Sequence, residues 1–171
     1  MRRLVALAPV AALLILLALF AGWSLHRTPQ VVTNAMVGKP LPDLALVRLN
    51  GAAADPVRRL VKGPALVNFY ASWCAPCAEE APALMALQAE GVRIIGIAYK
   101  DRPANAQAFL MRFGNPYAET LVDPDGRAAI EMGLTGVPET YAVNAAGVIV
   151  AKQATPITAA DAEALLKAAE P

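Results

Sequence analysis

The sequence predicts an α/β domain built on a mixed central sheet flanked by helices, preceded by one transmembrane helix. Three observations carry that expectation: an uncharged apolar run near the N-terminus, a strand, helix, strand pattern in mid-chain, and two closely spaced strands toward the end. A chain of 171 residues without an internal repeat has room for one globular domain and an appendage. The formal net charge is +1 and the basic residues are scattered, so there is no stripe to neutralise phosphates, and nucleic acid is excluded as a partner class.

Arg2 and Arg3 precede an apolar stretch from Leu4 to Leu25. At about 1.5 Å per helical residue, that stretch crosses a hydrocarbon core about 30 Å thick. The apolar region of a cleaved secretory signal is shorter, roughly 7–15 residues, and ends at a small-x-small site that is not found after this run. Residues 1–27 are therefore expected to form an uncleaved anchor. The two arginines hold the N-terminus in the cytoplasm and leave the rest of the chain outside. Residues 28–36 read as a tether, and residues 37–171 as the folded domain.

Within the domain, Leu41 to Leu49 partly alternates and runs into Asn50-Gly51, predicting an opening strand and hairpin. Ala65 to Tyr70 is a short, nearly continuous apolar run, the pattern of a strand covered on both faces. After Pro76 the composition is helical to Glu90, with Gly91 as the stop, and Arg93 to Tyr99 reads as a second buried strand. Such a unit requires parallel strands and a right-handed crossover. A helix follows from Pro103 to Phe113, then a turn at Asp123 to Gly126 and a short helical stretch to Met132. Glu139 to Val143 and Val148 to Lys152 predict an antiparallel hairpin, and Thr158 caps a last helix reaching about Ala169.

Only two cysteines are present, Cys74 and Cys77, and the only histidine is His26. Two cysteines so close cannot staple a fold, and one chain cannot supply four zinc ligands, so no metal is expected. Their setting between a buried strand and a helix start is what makes a C-x-x-C pair a redox motif. At a helix N-terminus the free N–H groups and the dipole favour the thiolate, which assigns Cys74 as the nucleophile. Cys77, one turn further in, resolves the mixed disulfide. Pro76 restricts the backbone between them and suits a first helical turn. Trp73 reads as an apolar cover beside the pair. No cofactor beyond the Cys74/Cys77 disulfide is expected.

Cys77, Glu80, Ala81, Leu84 and Leu87 fall on one helix face. Glu80 sits either at the solvated edge of that face or against the cysteines, where desolvation would raise its pKa and make it a proton donor or acceptor. Pro82 removes one helical hydrogen bond and predicts a kink. Gly136-Val137-Pro138-Glu139-Thr140 is a second signal. The Val137-Pro138 bond is cis or trans on chemistry alone; a cis bond would present the main chain of Val137 to an extended peptide. Glu80 and Glu139 together are expected to form an acidic surround that disfavours the Cys74 thiolate.

Asn68 to Cys77, with Pro82 and the later Gly136 to Thr140 segment, resembles the thioredoxin superfamily, and within it the DsbE/CcmG type. The resemblance covers roughly residues 37–171 and implies a thioredoxin-like fold. Asn68, Glu80 and the pair Pro138 and Glu139 select the type, since thioredoxin itself carries an aspartate where this chain has Asn68. The resemblance further implies a cis Val137-Pro138 bond and an added helix and strand between Arg102 and Leu121. It also implies reduction of the haem-binding cysteines of apocytochrome c in the periplasm, with electrons supplied by an inner-membrane thiol transporter of the DsbD or CcdA kind. Ala154-Thr155-Pro156-Ile157 departs from the glycine-bearing loop of that type. Two other readings are a general reductase of periplasmic thiol proteins of the TlpA or ResA kind, and a metal or haem-handling binding module. The second lacks a distant histidine for copper.

Overall fold

The computed structural model describes residues 35–170, together with the helical positions Leu13, Leu16 and Leu19. The chain divides into two compact units, residues 1–33 and 34–171. The rest of the expected membrane span from Leu4 to Leu25 lies outside the described residues. Among those described, no helix is long and apolar enough to cross a membrane.

The larger unit is a six-stranded mixed sheet with helices on both faces. Its strands are β1 (Val47–Arg48), β2 (Ala65–Tyr70), β3 (Ile94–Tyr99), β4 (Glu119–Asp123), β5 (Glu139–Val143) and β6 (Ile149–Gln153). The helices are α1 (Val57–Leu60), α2 (Ala75–Ala89), α3 (Pro103–Phe113), α4 (Arg127–Glu131) and α5 (Ala159–Ala169). The sheet order is β1-β4-β3-β2-β5-β6. Strands β2, β3 and β4 run parallel, while β1, β5 and β6 pair antiparallel with their neighbours.

Because strand side chains alternate between faces, β2 divides its residues between two cores. Leu66 and Tyr70 pack with Ile94, Ala142 and the apolar sides of α2, α3 and α5. Val67 and Phe69 pack on the other face with Ile95, Tyr141 and Leu121 beneath Leu41, Leu44, α1 and α4. Every β2 residue is buried, as the apolar run predicted.

The opening segment differs from expectation. The strand is only Val47–Arg48, and it pairs with β4. Pro40 and Pro42 lack N–H donors, and Leu44 N turns back to the Pro42 carbonyl, so Leu41 and Leu44 fill the core from a loop. The Asn50-Gly51 turn does form, with Gly51 at φ 82° and Asn50 Oδ1 accepting from Ala52 N. The single turn α1 was not foreseen; it buries Val57 and Leu60. The insertion is a helix and a strand, but the strand runs on to Asp123, parallel to β3. Helix α2 continues through Pro82 and ends before Gly91 at φ 88°.

Candidate functional site

Strand β2 delivers the chain to a short loop, Ala71 to Trp73, and then to Cys74, the N-cap of α2. The loop is held from the end of β3. The chain turns at Lys100, whose φ is 46°, and Asp101 accepts from Ser72 N at 2.6 Å and Ser72 Oγ at 3.0 Å. Trp73 is 60 % exposed, and its Nε1 donates to the Lys100 carbonyl at 3.4 Å. Its ring also lies against Tyr99, centroids 6.3 Å apart. Ser72 lies within the Asn68 to Cys77 motif and Asp101 outside both motifs; sequence reasoning gave neither a role, because their pairing joins positions 29 apart.

Cys74 and Cys77 are disulfide-bonded, with Cα atoms 5.3 Å apart. Cys77 N donates to Cys74 Sγ at 3.1 Å, the N-cap interaction that would stabilise a thiolate there. Pro76 lies in the first turn of α2. The cysteines are 5 % and 2 % exposed, so burial barely separates them and their roles rest on helix position.

Glu80 is buried and does not sit at the solvated edge of its helix face. It is 2 % exposed, and its Oε1 accepts from Asn68 Nδ2 at 2.9 Å while Oε2 accepts from Ile157 N at 3.0 Å. Burial pushes its pKa up, partly opposed by the Ile157 N–H and the Asn68 amide. Asn68 Nδ2 also donates to Thr140 Oγ1 at 3.0 Å, and Asn68 Oδ1 accepts from the Tyr117 hydroxyl at 2.7 Å. The loop that departs from the resembled type thus reaches Glu80 through the main chain of Ile157. Tyr117, Thr140 and Ile157 were not anticipated, since a single chain carries no signal that they converge on Asn68 and Glu80.

Glu139 corrects the expected acidic surround. Thr140 faces Asn68, so its neighbour Glu139 points through the opposite side of the sheet, toward Tyr141. There it is 1 % exposed and paired with Lys152 Nζ at 2.8 Å. It also accepts from Thr135 N at 3.0 Å, from the Thr135 hydroxyl and from Tyr141 OH at 2.9 Å. Lys152 offsets its charge, and the carboxylate ties the loop before β5 to its own strand. The side chain supports that loop.

Val137-Pro138 is a cis peptide bond, as the resemblance implied. The pairing of Phe69 with Glu139 sets Gly136 to Pro138 at the same end of the sheet as the β2 to α2 loop. Val137 is partly buried and packs against both cores.

The chain matches the Redoxin family over residues 36–166. It is 40% identical over 134 residues to the thiol:disulfide interchange protein HelX of Rhodobacter capsulatus, covering 78% of this chain and 76% of that one. It is 40% identical over 156 residues to the thiol:disulfide interchange protein DsbE of Allochromatium vinosum, covering 90% and 86%. A thio-disulfide isomerase from Thermus thermophilus superposes with a TM-score of 0.62 at 28% identity, covering 75% of this chain and 94% of that one. A secreted thiol-disulfide isomerase from Corynebacterium glutamicum shares the fold, with a TM-score of 0.68 at 21% identity over 84% and 95%. The bonded Cys74 and Cys77 at a helix start, together with these relatives, make the protein a thiol:disulfide oxidoreductase, and the chain belongs to the Redoxin family.

Proposed function

We propose that the protein is a membrane-anchored periplasmic reductant that opens the disulfide of the haem-binding cysteines in apocytochrome c. The observation that carries the reducing role is the buried carboxyl of Glu80, one helical turn beyond Cys77 and hydrogen-bonded by Asn68 and Ile157. A carboxylate with a raised proton affinity, on the same helix face as the resolving cysteine, can take the proton that Cys77 loses when it attacks. The choice of apocytochrome c rests on the resemblance to the DsbE/CcmG type and on relatives named DsbE and HelX. The anchor and the outward domain rest on the Leu4 to Leu25 run behind Arg2 and Arg3.

In the reduced protein, the Cys74 thiolate attacks one sulfur of the substrate disulfide. A Cys74-substrate bond forms, the substrate S–S bond breaks, and the leaving thiolate takes a proton from solvent. Cys77 then gives its proton to Glu80 and attacks Cys74 Sγ, forming the Cys74–Cys77 bond, breaking the Cys74-substrate bond and releasing the second substrate thiolate, which is protonated from solvent as Glu80 returns its proton there. Two electrons pass to the substrate, and the chain is left in the oxidised state seen here. A membrane thiol transporter of the DsbD or CcdA kind restores the dithiol.

Cys77→Ser is expected to accumulate a Cys74-linked mixed disulfide in cells, and Cys74→Ser is not. Non-reducing electrophoresis followed by mass spectrometry identifies the captured partner. Apocytochrome c among the captured proteins supports the substrate assignment; capture of other periplasmic thiol proteins alone replaces it with a general reductase. Equal trapping by both variants overturns the assignment of roles.

A further inference from the structure

The hydroxyl of Tyr117 lies beyond any proton transfer described above, yet it is buried and makes one short bond, to Asn68 Oδ1 at 2.7 Å. Asn68 is the residue whose other amide atom meets Glu80. An amide can face a carboxyl in two ways: its NH2 donates to a carboxylate, or its oxygen accepts from a protonated carboxyl. Donation from Tyr117 to Oδ1 selects the first, because it draws the oxygen away from Glu80. Thr140 Oγ1, accepting from the same Nδ2 at 3.0 Å, supports that orientation.

Room for the tyrosine is made by the backbone of β3. A Cβ on Gly96 would lie 2.5 Å from Tyr117 ring atoms, closer than any unstrained contact, and Gly96 sits beside Asn68 in the parallel pairing of β2 and β3. The ring also stacks on Tyr70, centroids 5.1 Å apart, so its position is set on two sides. We propose that Tyr117 is a positioning residue that locks the Asn68 amide with its NH2 toward Glu80, and so sets the pH at which Glu80 can take the proton of Cys77. The inference rests on the proton-accepting role of Glu80 proposed above.

The groups around Glu80 from each packed element are few. On α2, Cys77 shares the buried side of the helix with Glu80 and Glu79 is exposed; from β2, Asn68 bonds it and Tyr70 lies in the same core as the cysteines; from β5, Thr140 bonds Asn68; and from the stretch before β4 the Tyr117 hydroxyl is close enough to act on it. The stretch before α5 contributes the Ile157 N–H, with Asp161 half-buried and engaged by Thr158. Asp101 acts on Tyr70 and is bound to Ser72. No charged side chain is hydrogen-bonded to Glu80 among the described residues, so the Asn68 amide and the Ile157 N–H are its polar control. Burial pushes the Tyr117 hydroxyl well above its ordinary pKa, which keeps it a donor throughout.

The test uses the full-length oxidised chain in detergent. The protonated-carboxyl infrared band of Glu80, assigned by its loss in Glu80→Gln, is followed against pH. Tyr117→Phe keeps the ring and its stack, and is expected to move the Glu80 midpoint upward by roughly half to one pH unit, the scale of one weakened charge-assisted hydrogen bond. Tyr70→Phe, which removes a hydroxyl that has no partner among the described residues, is expected to leave the midpoint in place. Gly96→Ala, which displaces the ring without removing its hydroxyl, is expected to repeat the upward shift and decides the matter should Tyr117→Phe not fold. An unmoved midpoint in a folded Tyr117→Phe protein, or an equal shift in Tyr70→Phe, overturns the proposal.

A second readout separates this inference from the reading beneath it. Release of thionitrobenzoate from its mixed disulfide with Cys74 reports the attack by Cys77. Its pH profile is expected to follow the infrared midpoint in Tyr117→Phe, and to be indifferent to Tyr117 in the Glu80→Gln background. An infrared shift with an unchanged release profile keeps Tyr117 as the residue that positions Asn68 and removes Glu80 from the proton path.

Discussion

Glu80 and Glu139 are both almost wholly buried, and the sheet keeps them on opposite faces. Their chemistry differs because their partners do. Glu139 meets the ammonium of Lys152, while Glu80 meets only an amide and a main-chain N–H. Burial therefore leaves Glu80 with a proton affinity above that of a carboxyl in the unfolded chain. Between the ordinary glutamate pKa of about 4.3 and the raised folded value, the native state holds more protons than the unfolded one. Stability from this group is complete below that window and declines as pH rises through it. Glu80→Gln removes the dependence. The urea midpoint of the natural protein minus that of the variant is expected to fall steadily from about pH 4 upward. A difference that stays constant with pH contradicts the assignment.

Helix α2 and helix α5 meet at Glu80 from different directions. The first presents the side chain from its buried face, and the second begins just after the N–H that binds it. The start of α5 is built by a capping box: Thr158 accepts from Asp161 N, and Asp161 accepts from Thr158 N. That pairing fixes the chain immediately after Ile157. Thr158→Ala is expected to cost about 1 kcal/mol in urea denaturation. Its effect is also expected to reach the site, since a frayed helix start loosens the Ile157 N–H and raises the Glu80 midpoint in the infrared titration. A stability loss with no change in that midpoint would confine the cap to a purely local role.

For the molecule as a whole, the proposed reducing role depends on where the domain lies. A protein that donates electrons in an oxidising compartment must be recharged from across the membrane, which is the physical link between the proposed anchor and the dithiol. Arg2 and Arg3 ahead of the apolar run predict an outward domain. An alkaline phosphatase reporter fused after Gln30 is expected to be active in whole cells, and β-galactosidase at the same junction inactive. The reverse pattern would place the dithiol in the cytoplasm and remove the need for a transmembrane electron supply.

The cysteine pair, the helix start that carries it and most element boundaries were legible in the chain. Each is a local property, written in the spacing of apolar residues and in Asn, Thr, Gly and Pro at turns and caps. The burial face of Glu80 could be read as far as the helix period allows. Its depth could not, because that depends on Ile157, 77 positions away, supplying a hydrogen bond. Glu139 was misplaced for a related reason. Side chains on a strand alternate, so once Thr140 pairs with Asn68 its neighbour must face the other core, and that pairing joins residues 72 positions apart. Tyr117 was invisible to motif and period alike. It reaches Asn68 across 49 positions through the gap left by Gly96, a contact that exists only when β2, β3 and the turn before β4 are packed together.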